Sequence, residues 1–208
     1  MALTKLNLAS GVTGILPTSS YTSGITVAEE WLLTSNKTSA GDITANLAIS
    51  GISGLGNINP GMSESSGIFT FPSTGIWYVG FTALIEEGSQ SSNDPINRPE
   101  IFITTDNSSY SLSARTQEGV AGGTAAEFSG SSTTSILFDV TNTTTHKCKF
   151  AITSLATNNR LLGSSSTQHT KFTFIRLGDT WLILVLIVVR WLNKTYILIL
   201  HQLKKELV

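Results

Sequence analysis

The stretch Gly67–Ile85, GIFTFPSTGIWYVGFTALI, decides how the rest of the chain is read. Phe69 and Phe71 alternate about the polar Thr70, and Pro72 to Gly75 then supply the residue types that favour a turn. From Gly75 the chain continues through Ile76, Trp77, Tyr78, Val79, Gly80 and Phe81. Alternate residues of a strand share a face, so Trp77, Val79 and Phe81 point to one side while Ile76 and Tyr78 point to the other. The stretch therefore predicts a strand, a turn and a long second strand that is apolar on both faces. One face fits a sandwich core; the other needs a covering, either a loop or a partner subunit.

Working outward, the same period of two recurs in short blocks. Upstream, Ile25 to Thr34 predicts a strand carrying Val27 and Trp31, and Ile43 to Ser50 predicts another through Ile43, Ala45, Leu47 and Ile49. Downstream, Glu100 to Thr105 and Ser109 to Thr116 predict a hairpin turned by Asp106, Asn107 and Ser108, residues that bond locally to backbone and tolerate left-handed angles. Thr134 to Val140 places Ile136, Phe138 and Val140 on one face, and His146 to Ser154 alternates through His146, Cys148, Phe150 and Ile152. Thr170 to Leu177 closes the series with Phe172 and Phe174 inward. Between them, Glu86 to Pro99 and Gly119 to Gly130 read as surface loops. Eight to ten short strands with no amphipathic helix among them predict an all-β antiparallel sandwich or jelly roll. The expected core is Phe69, Phe71, Trp77, Val79, Phe81, Phe138, Phe172 and Phe174.

Composition agrees and excludes several functions. Ser and Thr make up roughly a quarter of the residues, a turn-rich β mixture. Thirteen basic and 14 acidic residues nearly cancel, which argues against a nucleic-acid binder, since that needs a basic stripe. The single cysteine, Cys148, rules out an intrachain disulfide framework and reads as an inert strand residue. The opening MALTKLNLASGVTG lacks the continuous apolar run of a secretory signal, so export is not expected.

Catalytic signatures are missing too. His146, His169 and His201 are far apart and read as solvated or strand-surface residues, with no metal-ligand spacing. No nucleophile elbow or phosphate-cradling glycine loop is present. Glu29 and Glu30 are adjacent, so in a strand they face opposite ways and form no carboxylate dyad. Neither an enzyme, a metal site nor a cofactor is expected.

The spacing of Phe69, Gly75, Trp77, Val79 and Phe81 resembles the central pattern of the complement C1q globular head and the wider tumour necrosis factor superfamily. Trp77 stands where that pattern has Tyr, Val79 where it has Phe, and Asn57 where the family has Asn or Asp. The resemblance implies a C1q/TNF-like jelly roll of about ten strands, assembled as a homotrimer, with Ile76 and Tyr78 toward the threefold axis. Trimer burial also gives those two side chains a role, since each large apolar side chain taken from water contributes roughly 1.5 to 3 kcal/mol. The blocks GIFTFPSTGIW, ITTDNSSYS, ILFDVTNTT and FTFIRLGDT further resemble structural proteins of marine, especially cyanobacterial, phages. That likeness implies a virion location, other virion proteins as partners, and a tail-fibre or host-attachment role through a surface glycan or protein. A capsid-decorating module without ligand and a bacterial adhesion module are the alternatives. Related trimeric heads bind protein, glycan or calcium through loops, which makes Asp94 and Arg98, in the Gln90 to Glu100 loop, the ligand-binding candidates; the plain alternative is a solvated loop.

These readings divide the chain into a lead-in at 1–24, a jelly-roll domain at 25–180 and a hydrophobic tail at 181–208. The tail segment 181–200, WLILVLIVVRWLNKTYILIL, is interrupted by Arg190 and Lys194. On an insertion scale its aliphatic residues and those two cations nearly cancel, so membrane contact is not favoured. Insertion into a neighbouring virion protein and an extension past the usual end of the domain are the other readings of the tail, the last of them slightly preferred.

Overall fold

The computed structural model describes residues 24–87, 96–119, 129–155 and 158–180. In chain order its strands are β1 (Ala28–Leu33), β2 (Gly41–Asp42), β3 (Leu47–Ile49), β4 (Ser63–Ser65), β5 (Ile68–Thr70), β6 (Gly75–Glu87), β7 (Ile96–Asn97), β8 (Pro99–Thr104), β9 (Ser111–Arg115), β10 (Glu118–Gly119), β11 (Ser129–Val140), β12 (Lys147–Ile152), β13 (Asn159–Leu161) and β14 (Lys171–Gly178). One sheet follows the order β11-β6-β14-β1-β3, with β13 added to β6; the other follows β4-β5-β12-β8-β9, with β2 added to β12. Strands β7 and β10 form a small separate ribbon. The chain passes from one sheet to the other at β5 to β6, β6 to β8, β9 to β11, β11 to β12 and β12 to β14, while β8 to β9 turns back within a sheet. Two five-strand paths joined by such crossings make a jelly roll, the all-β antiparallel sandwich expected.

The core is built by the predicted phase. Trp77, Val79, Phe81, Ala83 and Ile85 line the inner side of β6 with no exposed surface, and Phe69, Phe71, Phe138, Phe172 and Phe174 are all buried with them. Phe69 meets Trp31 and Phe150 edge to face, while Phe81 stacks on Phe172 at 5.0 Å. Such rings each bury a large apolar area and add specific pair geometry. Cys148 lies within this cluster, and burial pushes its thiol well above the usual cysteine range.

Several local readings are corrected. The alternating block Ile43 to Ser50 is not one strand. Ile43 donates its N–H to Phe150 O beside β12, whereas Leu47–Ile49 pairs with β1, so the chain changes sheets between them. Asn46, at φ 61°, makes that change, an angle asparagine tolerates better than most residues. A short hairpin, β4 to β5, precedes the Phe69 strand and turns through Ser66 and Gly67, both at positive φ, as a two-residue hairpin requires. A Cβ on Gly67 would lie 2.3 Å from the Ile43 carbonyl oxygen, so the turn is seated directly on the crossing segment. His146 is buried, not surface-lying: it stacks on Phe138 at 5.6 Å and its ring nitrogens bond the hydroxyls of Thr141 and Thr145. The C-terminal part of the Gln90 to Glu100 segment is also no solvated loop, because Asn97 and Glu100 are fully buried. Among the described residues no helix is long and apolar enough to cross a membrane. The apolar segment 181–200 and the lead-in up to residue 23 lie outside them.

Candidate functional site

The outer side of the β11-β6-β14-β1 sheet holds the residues left over once the core phase is filled. Ile76 and Tyr78 emerge there half-buried, on the face expected for them. Backbone register sets Leu137 of β11, Tyr78 of β6, Ile175 of β14 and Ala28 of β1 in one row across four strands. Leu137 keeps 67% of its surface exposed and Leu177 keeps 49%. Tyr78 shares its face with Gly80, two residues on, and a Cβ there would lie 2.9 Å from Tyr78 Cε1. The glycine thus leaves room for the phenol ring against the sheet. The result is an apolar patch at the β6 N-terminal end made of Ile76, Tyr78, Leu137 and Ile175, with exposed Leu177 at the β14 bulge just beyond.

Further along, the same face turns polar. Thr82 and Thr133 hydroxyls bond across β6 and β11 at 3.1 Å, and Lys171 Nζ reaches Glu30 Oε1 at 2.7 Å. Partial burial alone would raise the Glu30 pKa, but hydrogen bonds and charge from Lys171, with further bonds from Gln168 and Thr173, outweigh it and hold the carboxyl below its ordinary value. Its neighbour Glu29 faces inward, as the strand period requires, and is 2% exposed. Desolvation raises the Glu29 pKa against the opposing bonds from the Met62 and Gly61 N–H groups, at 2.6 and 3.4 Å. The two acids form no dyad; one clamps the 61–62 backbone and the other belongs to a surface network.

At the opposite end of the sandwich, polar groups are buried. Asn159 donates to Asn97 Oδ1 at 3.3 Å, Asn97 donates to Glu118 O at 3.2 Å, Glu100 pairs with Arg115, and Arg160 Nε reaches Glu86 Oε2 at 2.8 Å. Arg98 lies at this end, half-buried, with its backbone bonded to Ser154 and Thr153. Asp94 lies outside the described residues, so the Asp94 and Arg98 pair is not assembled within them. No group of three or more His, Cys, Asp or Glu that could hold a metal occurs among the described residues.

Sequence reasoning placed Ile76 and Tyr78 on this outer face but passed over Leu137, Ile175 and Leu177. The signal was present for two of them: Leu137 falls between inward Ile136 and Phe138, and Ile175 is out of step with Phe172 and Phe174, whereas Leu177 sits at the bulge after Arg176, where the period of two breaks.

No family model matches the chain, and no curated protein is similar to it. Among solved structures, the crystal structure of murine APRIL at pH 5.0 superposes with a TM-score of 0.48 at 10% identity, covering 73% of this chain and 98% of that one. Murine APRIL at pH 8.5 gives 0.47 at 10% identity, and at pH 8.0 gives 0.44 at 12% identity, with the same coverage. The two-sheet antiparallel jelly roll itself rests on the strand order and crossings described above.

Proposed function

We propose that this chain forms the non-enzymatic, homotrimeric head of a phage virion structural protein that acts in attachment to a host surface. The carrying observation is the apolar row Leu137, Tyr78 and Ile175, aligned across three strands on the outer face of a sheet whose inner face already fills the core. An exposed contiguous apolar patch on a soluble domain marks an interaction surface. Self-association is the reading that fits both this patch and the C1q/TNF-like jelly roll, and three copies joined head to tail close a ring. The virion role rests on the resemblance of the blocks GIFTFPSTGIW, ITTDNSSYS, ILFDVTNTT and FTFIRLGDT to structural proteins of marine phages. In that role a trimer presents three equivalent weak sites, and their high effective concentration turns weak binding into attachment.

Sedimentation velocity of the full chain tests the assembly: a trimer persisting at micromolar concentration is expected, and a stable monomer there sinks the trimer. Gold labelling or electron cryo-microscopy of purified particles tests the role. Density at a tail tip supports attachment, density spread over the capsid supports decoration without a ligand, and absence from particles overturns the virion reading.

A further inference from the structure

Where the chain changes sheets it leaves an open cleft of about 220 Å³, lined by Leu33, Asn36, Lys37, Thr38, Ser39, Ile43, Thr44, Ala45 and Asn46. Leu33 and Ile43 are buried beneath it, and the surface it presents is mostly polar. The walls are fixed by backbone bonds and by the side chain of Asn36. Thr34 N–H donates to Asn46 O at 2.7 Å, Lys37 N–H donates to Leu161 O at 3.0 Å, and Ile43 N–H donates to Phe150 O at 2.9 Å. Asn36 Oδ1 accepts the Gly163 N–H at 2.9 Å. The cleft is therefore laced to β1, β12 and β13, and binding there would order little additional backbone.

The groups on its rim are unspent. The hydroxyls of Thr38, Ser39 and Thr44 and the side-chain amide of Asn46 make no hydrogen bond among the described residues, and Lys37 has no ion-pair partner among them. Asp42, the one carboxylate within the 36–46 segment, is turned to Lys149 at 2.7 Å. Hydroxyls, an amide and a cation without an ion-pair partner among the described residues, set around one mostly polar cleft, are a complement to a small polyhydroxylated anion. The volume, below the roughly 300 Å³ where drug-sized pockets begin, suits one ring.

We propose that this cleft binds a single carboxylate-bearing sugar ring, as found in an acidic surface polysaccharide. Lys37 faces the carboxylate, and the hydroxyl and amide groups of Thr38, Thr44 and Asn46 meet the ring hydroxyls. The cleft is at the C-terminal end of β1, whereas Ala28 at the N-terminal end of β1 is the residue in register with the apolar row. The biological setting rests on the host-attachment reading, whereas the binding chemistry does not.

The test is amide chemical-shift titration of the ¹⁵N-labelled full chain with glucuronate, and with glucose as the uncharged twin, each to about 50 mM, since a ligand of this size binds in the millimolar range. Saturable shifts confined to residues 33–46 and their bonded neighbours are expected, with glucose about three- to fivefold weaker, the amount a solvent-exposed ion pair supplies. Lys37→Ala should bring glucuronate down to the glucose level with an unchanged thermal midpoint. Equal binding of the two sugars, shifts elsewhere, no saturable shift, or an unaltered Lys37→Ala variant each overturns the proposal. Sedimentation of the same samples separates the failures: a trimer that binds no sugar removes this site alone, and a monomer that binds glucuronate removes the trimer alone.

Discussion

Substituting Leu137 by lysine tests the association face without touching the core. Leu137 keeps 67% of its surface in the isolated subunit, and its backbone partner across β6 is Tyr78, at the centre of the patch. Full burial of a leucine side chain stabilises by roughly 1.5 to 3 kcal/mol, so the part still available to a partner is roughly 1 to 2 kcal/mol per subunit, or about 3 to 6 kcal/mol over a threefold assembly. Losing that alone lowers the trimerisation constant by about 10² to 10⁴. An ammonium held unpaired in the interface adds a desolvation cost wherever its stem cannot carry it to water. In the free subunit the change is benign, because the position is exposed and Asp139 follows two residues on along the same face; folding stability should move by no more than about 0.5 kcal/mol. The assay is sedimentation velocity from about 1 to 100 µM. Wild type should remain trimeric over the series, and Leu137→Lys should be monomeric through most of it with an unchanged circular dichroism spectrum. Leu112→Lys is the control, since Leu112 is 43% exposed but lies on the other sheet. A Leu137→Lys variant that stays trimeric, or a Leu112→Lys variant that dissociates equally, refutes the assignment of this face.

Further outcomes follow from the core and its clamps. Glu29→Ala should cost about 1 to 3 kcal/mol in urea unfolding, because it leaves the Met62 N–H buried without its acceptor, whereas Glu29→Gln keeps an acceptor and should be at least as stable as wild type at pH 7. The pH dependence has a fixed sign. With its pKa raised on folding, Glu29 makes the native state take up a proton before the unfolded chain does, so its contribution to stability grows as pH falls through the folded pKa toward 4.5; Glu29→Gln should lack that gain. Glu30 acts oppositely, its contribution being present above 4.5 and lost as pH falls through its depressed folded value. Gly67→Ala should destabilise by more than about 2 kcal/mol in the same assay, since φ is 83° and the new methyl meets the Ile43 carbonyl; an unchanged midpoint would show that the β4 to β5 turn does not rest on the crossing segment. Cys148 should resist alkylation in the native state and react once the chain is unfolded, and rapid native labelling would contradict its burial.

What could be read from the sequence was whatever a strict period of two carries. Phe69, Trp77, Val79, Phe81, Phe138, Phe172 and Phe174 are inward because each sits in phase with apolar neighbours in its own strand. The hairpin at Asp106 was legible for a different local reason: its carboxylate accepts the N–H groups of Ser108 and Ser109 and the Thr104 hydroxyl, all within a few residues. Illegible features depended on distant partners. Nothing near Ile43 says that its N–H will find Phe150 instead of extending the strand toward Leu47, and nothing near Glu100 or Asn97 says that Arg115 and Asn159 will make their burial tolerable. The cleft at residues 33–46 escaped for the same reason, since its walls are set by Leu161 and Gly163, more than a hundred residues away.

Strand β6 joins these observations into one arrangement. It is long enough to run from the apolar patch at Ile76 and Tyr78 to the polar end at Glu86 and Glu87, and its inner phase is fully buried throughout the stretch between. One phase of a single strand therefore holds the fold, while the other is apolar where Leu137 and Ile175 flank it and polar where Thr133 and Lys171 do. Because the two phases never share a side chain, association and stability can vary separately by substitution along β6. The crossing at Asn46 leaves its cleft at the C-terminal end of β1, the end away from Ala28 and the row through Tyr78.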